Sequence, residues 1–198
     1  MNNNSFFAML FRMKLINRWG LMRNTRYETL SEHSLEVGVI AHALCILSNE
    51  RLGTKLNADR AAVLGLFHDS PEIITGDMPT PIKYFSPDVK NAYSQVETVA
   101  AERLLSLLPE DIRSYYSPLV HEEDEELIPY IKAADKIAAL IKCIDETKMG
   151  NSEFSKAGEA TKKRIKAMGM PVADMFVEEF IPAFSLTLDE QSAGELNA

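Results

Sequence analysis

Apolar residues recur at three- and four-residue intervals along almost the whole chain, and no stretch alternates with a period of two between turn signals. The pattern predicts helices and no sheet. A first helix is expected over about Phe6–Asn17, with Phe7, Leu10, Phe11 and Leu15 on one stripe and Gly20 in its exit region. A second begins near Ser31, read as its N-cap, and carries Val37, Ile40, Leu44 and Leu47 at helical spacing. Gly53 and Asn57 separate it from a third, about Ala58–Asp69. Ser70-Pro71 then reads as an N-cap and first-turn proline, opening a short helix from Glu72 that stops before Gly76. Ser86-Pro87 repeats that signal for a long helix through Leu108, with Val96, Val99, Leu104 and Leu108 facing inward, followed by a short helical piece over Pro109–Tyr115. A further long helix spans about Glu123–Lys148, bent or restarted at Pro129, with Gly150 past its end. Two more lie near Glu153–Ala167 and Val172–Phe184, and the first few residues and the tail after about Leu188 are expected to be loosely attached. No repeat or linker divides the chain. The expectation is one all-α domain over 1–198, a bundle of about eight helices.

Composition narrows the partners. The 198 residues are 46% apolar, enough to build a full core. Lys and Arg number 21 against 29 Asp and Glu, a net charge of −8. That balance argues against binding polymeric nucleic acid, where clustered positive charge supplies most of the affinity. It leaves room for a small anion held by one or two local cations. Two cysteines, Cys45 and Cys143, 98 positions apart, exclude a disulfide scaffold or a CxxC zinc ribbon, and their apolar surroundings predict buried thiols. The nearly apolar run from Val37 to Leu47 contains His42 and is short of the ~20 residues that span a bilayer. Arg12 and Lys14 interrupt the apolar N-terminal stretch, and no cleavage signal follows it. A cytoplasmic protein without a membrane partner is expected.

There is no GxxxxGK[ST], GxGxxG or GxSxG, so the phosphate-loop, dinucleotide and serine-hydrolase readings lack their parts. Four histidines remain. His42, inside Ala-His-Ala, reads as a core or interface residue, and His121 opens an acidic run that reads as a solvated helix start. His68-Asp69 differs, because it closes the apolar helix Ala62–Phe67 and brings an imidazole and a carboxylate out where the core ends. On the doublet alone a simple His–Asp hydrogen bond explains it as well. His33 stands in the first turn of the second helix. Asp135 lies on a face otherwise built of small and aliphatic residues, where a carboxylate is costly unless paired or metal-bound. An ion pair with the adjacent Lys136 is disfavoured, since sequence neighbours point to different faces.

The order His33, His68-Asp69, Asp135 resembles the H…HD…D metal signature of HD-domain phosphohydrolases. The run from His68 to Lys83 is similar to the HDxxExxxGDxPTPxK text of the bacterial YfbR-type 5′-deoxynucleotidases. Lys14–Trp19, Ser31–Leu35 and Phe184–Glu190 resemble that family at the same places, so the likeness covers essentially the whole chain. It implies an HD-type helical bundle and a divalent metal held by His33, His68, Asp69 and Asp135. It implies that Arg18 orients the substrate phosphate, that Trp19 contributes to substrate recognition, and that Asp77, Met78, Pro79 and Thr80 line the nucleotide site. Glu72 falls at the family's acidic position for handling the attacking water. Asp77 is placed to assist the leaving 5′-oxygen or to hold the sugar. The implied activity is release of phosphate from deoxyribonucleoside 5′-monophosphates, with selection against ribonucleotides, by a cytoplasmic homodimer.

Two imidazoles and two carboxylates suit a first-row ion such as Mn²⁺, Co²⁺ or Fe²⁺. His33, Asp69 and Asp135 then also face the substrate through the metal. Within the same superfamily a phosphodiesterase or a nucleotide or alarmone hydrolase is the competing reading. No GYP triplet is present, and Ile73 follows Glu72 where an alarmone hydrolase is expected to carry a second acid. A catalytically silent nucleotide-binding module has no need to keep the four ligands with Glu72 and Asp77.

Overall fold

The computed structural model describes residues 4–83 and 85–192 and carries eleven α-helices, with no strand among the described residues. They are α1 (Phe6–Leu10), α2 (Leu30–Leu52), α3 (Ala58–Phe67), α4 (Glu72–Thr75), α5 (Thr80–Lys83) and α6 (Pro87–Leu105). Then come α7 (Glu110–Val120), α8 (Ile128–Lys148), α9 (Ser155–Ala167), α10 (Pro171–Glu179) and α11 (Leu188–Gln191). Helix α2 is the axis of the bundle, packed along α3 and α8. Val37, Ala41 and Leu44 of α2, Leu64 of α3 and Ile137 and Leu140 of α8 are fully buried between them. A second core forms around Phe6, Leu30 and Leu104, and Phe67 and Tyr116 pack against both. By length and composition α2 could cross a membrane, but half of that stretch is buried inside the protein, as in the core helix of a bundle. Both cysteines are free and buried.

Two glycines set the spacing of α2 and α3. A Cβ on Gly65 would lie 2.7 Å from Gly38 Cα, and one on Gly38 would lie 3.0 Å from the Ala62 carbonyl oxygen. Backbone therefore meets backbone at this crossing. The approach draws the start of α2 and the end of α3 together, which is where His33 and His68 stand.

Several local expectations shift. The first helix is one α-turn followed by a 3₁₀ segment, Phe11–Leu15, and it buries Phe6 and Met13 while Phe7, Phe11 and Leu15 are exposed. Helix α2 begins earlier than Ser31. Thr29 is its N-cap in a reciprocal capping box with Glu32, which satisfies two orphan groups at once. In α6 the buried stripe is Tyr93, Ala100, Ala101 and Leu104, so Val96 and Val99 face outward. The acidic run after His121 is a turn, with Glu122 at φ 53°, and α8 starts afresh with Pro129 in its first turn. After Leu186 the chain forms α11, capped by Thr187 and Glu190. The residues before 4 and beyond 192 lie outside the described residues.

Candidate metal and phosphate site

The start of α2, the end of α3 and the middle of α8 converge on one spot. His33 is fully buried, and its Nε2 lies 3.2 Å from Asp135 Oδ1 and 3.5 Å from Asp69 Oδ2. His68 Nε2 lies 3.1 Å from the same Asp69 oxygen, and the two imidazole rings are 5.2 Å apart. One ligand atom each from His33, His68 and Asp135 falls within 4.8 Å of the others. Despite these short distances, Nε2 of both histidines lacks a hydrogen-bond partner. His68 Nδ1 stands 2.8 Å from the Gly65 carbonyl oxygen, which accepts its proton, so Nε2 is the ring nitrogen that faces the carboxylates. Unpartnered buried nitrogens that converge with carboxylates are what a divalent cation would satisfy, and the mixed N/O donors suit a first-row ion. Lys136 is not the partner of Asp135, because its ammonium donates to the Lys132 carbonyl.

The electrostatics follow from crowding charge out of water. Burial works against ionising Asp69 and Asp135, but His68 and His33 together with Arg18 hold Asp69 well below the usual carboxylate range, and His33 does the same for Asp135. Burial and then Arg18 push His33 down, towards the neutral ring a metal requires. Glu72 is the opposite case. Burial, then Asp69 and Asp77, push its carboxyl up to about 9, and one of its oxygens has no partner. Asp77 is raised by burial, with Arg18 pulling it back.

Arg18 supplies the cation. Its Nη1 donates to Asp69 Oδ2 at 3.2 Å and its Nε donates to Glu28 Oε2 at 3.0 Å. Burial opposes its charge, yet Asp69, Glu28, Asp135 and Asp77 outweigh that and raise its pKa. Trp19 follows at φ 61°, its ring 5.3 Å from Phe154. Its indole N–H donates to Glu28 at 2.8 Å.

Of the residues singled out from the sequence, the structure brings His33, His68, Asp69, Asp135 and Arg18 into one cluster. Glu72 borders it, one turn on in α4. Beside it opens a polar cleft of about 360 Å³, lined by His68, Asp69, Glu72, Lys83, Glu97 and Glu122 among others. Arg18, Trp19 and Met78–Thr80 do not line that cleft. Asp77, Met78 and Pro79 are half-buried on the connection from α4, and Thr80 is exposed where α5 begins. His42 is half exposed, 3.5 Å from Asp59, and so is no core residue. His121 pairs with Glu102 at 3.1 Å.

Two carboxylates escaped the sequence reading. Glu28 is buried behind Arg18 and Trp19, and nothing local marks it, because its position depends on a pairing with residues ten places earlier. Glu122 belongs to the acidic run expected as a solvated helix start, yet it lines the cleft beside His68, and burial raises its pKa.

Residues 5–184 match the family described as 5′-deoxynucleotidase YfbR-like. A 5′-deoxynucleotidase of Erwinia tasmaniensis is 43% identical over 198 residues, covering 99% of this chain and all of that protein. The 5′-deoxynucleotidase YfbR of Salmonella paratyphi B is 43% identical over 196 residues, covering 97% of this chain and 98% of that one. Among solved structures, an HD-domain phosphohydrolase from Listeria innocua superposes with a TM-score of 0.78 at 22% identity, covering 97% of this chain and 93% of its own. A cyanophage S-2L HD phosphohydrolase, solved with dA and one catalytic Zn²⁺ ion, has a TM-score of 0.66 at 20% identity, covering 91% of this chain and 96% of its own. These two likenesses establish the fold, and the match of nearly the full sequence establishes the kinship: the chain belongs to the YfbR-like 5′-deoxynucleotidase family.

Proposed function

We propose that the protein hydrolyses deoxyribonucleoside 5′-monophosphates to the deoxyribonucleoside and phosphate, at a divalent ion held by His33, His68, Asp69 and Asp135. The observation that carries this reading is the convergence of two buried, unpartnered imidazole nitrogens with two carboxylates, next to a half-buried arginine. When bound, the ion neutralises phosphate charge and lowers the pKa of water. Arg18 offers the phosphate a planar set of donors, exchanging its contact with Asp69 for phosphate oxygens. Glu72 orients the attacking water and holds a proton close to the phosphate. Asp77, held near Arg18, either assists the departing 5′-oxygen or holds the sugar. Trp19 stands beside the phosphate-binding arginine and presents a wall to a 2′-hydroxyl, giving selection against ribonucleotides. Met78, Pro79 and Thr80 line the nucleotide. The ion is a first-row metal such as Mn²⁺ or Co²⁺.

A homodimer is supported by the outward apolar strip of Leu35, Val39 and Ile46 on α2 with Val63 and Leu66 on α3. Cytoplasmic residence agrees with two reduced, buried thiols. A single HD domain spans the chain, with no membrane or polymeric nucleic acid as partner. Phosphate release from dAMP and AMP, measured beside p-nitrophenol release from bis(p-nitrophenyl) phosphate, by metal-loaded protein tests the activity. Turnover of dAMP well above AMP, with the diester untouched, is expected; preference for the diester would replace this reading by a phosphodiesterase.

A further inference from the structure

Arg18 and Trp19 are adjacent in sequence, so their side chains must be aimed separately if one is to meet a phosphate and the other a sugar. A single carboxylate oxygen does both. Glu28 Oε2 accepts from Arg18 Nε at 3.0 Å and from Trp19 Nε1 at 2.8 Å. The backbone fixes that oxygen in place. Arg18 N donates to the Glu28 carbonyl at 2.9 Å, Leu30 N donates to the Ile16 carbonyl at 2.9 Å, and Asn17 bridges Thr29 in antiparallel fashion. Glu28 is thus locked opposite Arg18 by main-chain bonds and is buried, with 6% of its surface exposed. Trp19 holds a left-handed backbone, φ 61°, a conformation that costs a bulky residue free energy and persists only where neighbours enforce it.

We propose that Glu28 is a positioning residue that aims Arg18 at the substrate phosphate and Trp19 at the sugar together. By holding Arg18 through Nε, it leaves the Nη edge directed at Asp69 and the imidazole cluster. Arg18 can then trade Asp69 for a phosphate oxygen without losing its anchor. The same oxygen fixes the rotation of the indole against Phe154. Phosphate affinity and sugar discrimination therefore pass through one group. This inference rests on the nucleotidase reading for its kinetic consequence but not for its structural one.

The test is Glu28→Gln, with Glu28→Asp as the milder variant should the amide not fold, in the metal-loaded protein. Losing a charge-assisted acceptor predicts about a 10- to 100-fold rise in KM for dAMP, the usual scale for one such bond. It also predicts a smaller fall in kcat and a narrowed dAMP/AMP ratio of kcat/KM. Trp19 is the only tryptophan, so emission reports this indole alone and is expected to shift in the variant without any substrate present. A merely structural role would lower the melting temperature and the active fraction while leaving KM, the ratio and the native-state emission unchanged, and that result overturns the proposal. Should wild type release no phosphate from dAMP, the nucleotidase reading falls, and the emission experiment still decides whether Glu28 holds Trp19.

Discussion

Glu146 is fully buried on α8 and holds down the loop that follows Trp19. Its carboxylate accepts from the backbone of Thr25 at 2.9 Å and Arg26 at 3.1 Å, and from the side chain of Asn151 at 2.8 Å. Lys142, one turn earlier, donates to it and to the Arg26 carbonyl. Replacing Glu146 by Ala leaves the Thr25, Arg26 and Asn151 donors without their acceptor and the Lys142 ammonium buried without its counter-charge, with only the Arg26 carbonyl still accepting from it. Breaking one side of a buried pair costs about 3–5 kcal/mol. In a domain of this size that lowers the melting temperature by roughly 6–20 °C. Burial disfavours the charge on Glu146, but Lys142 and then the Thr25, Asn151 and Arg26 donors outweigh it, holding the carboxyl below the usual range. A depressed folded-state pKa means the stabilisation is fully present above the unfolded value near ~4.3 and is lost as pH falls through the folded value. Thermal melts of wild type and Glu146→Ala from pH 3 to pH 8 read this directly. The gap in melting temperature should be constant above about pH 5 and shrink below it. A gap under about 2 °C at pH 7, or one that widens in acid, refutes the clamp.

Glu72→Ala should keep its metal and bind nucleotide nearly as wild type while turning over at least about 100-fold more slowly; loss of metal by calorimetry would make Glu72 a ligand instead. Gly65→Ala forces a methyl into the Gly38 backbone, so it should cost about 1–3 kcal/mol in melts and weaken metal affinity by parting His33 from His68; unaltered metal affinity would separate the helix crossing from the site. Trp19→Ala should narrow the dAMP/AMP ratio of kcat/KM whereas Arg18→Ala depresses both substrates together, and an unchanged ratio in Trp19→Ala would move the 2′ discrimination to the Asp77–Thr80 segment.

Helix-forming segments were legible because they are local: spacing of three and four marks a buried face, and His68-Asp69 at the end of an apolar helix marks an exit from the core, whereas its grouping with His33 and Asp135 across about a hundred residues came only through the family resemblance. What was not legible depended on distant pairing. Val96 and Val99 share a helical spacing with Leu104, but the neighbours contacting α6 select the face of Tyr93 and Ala100 instead. Glu28 acquires its role only when residues 16–18 pair with 28–30. Glu122 reaches the cleft because a left-handed turn ends α7, and no periodicity encodes that turn. The capping box Thr29–Glu32 was readable in principle, since a threonine followed three residues later by a glutamate precedes the apolar run; Ser31 competed for the same signal.

The most direct test of the account is to strip the purified protein with EDTA, add back Mn²⁺ or Co²⁺, and measure bound metal and phosphate release from dAMP in parallel, for wild type and Asp135→Ala. The expected result is no turnover by the stripped protein, recovery of activity as about one ion per chain binds, and neither binding nor turnover in the variant, which keeps its helical circular dichroism. Full turnover in EDTA, or an Asp135→Ala protein that binds metal and works as wild type does, would contradict the assignment of His33, His68, Asp69 and Asp135 as the metal centre.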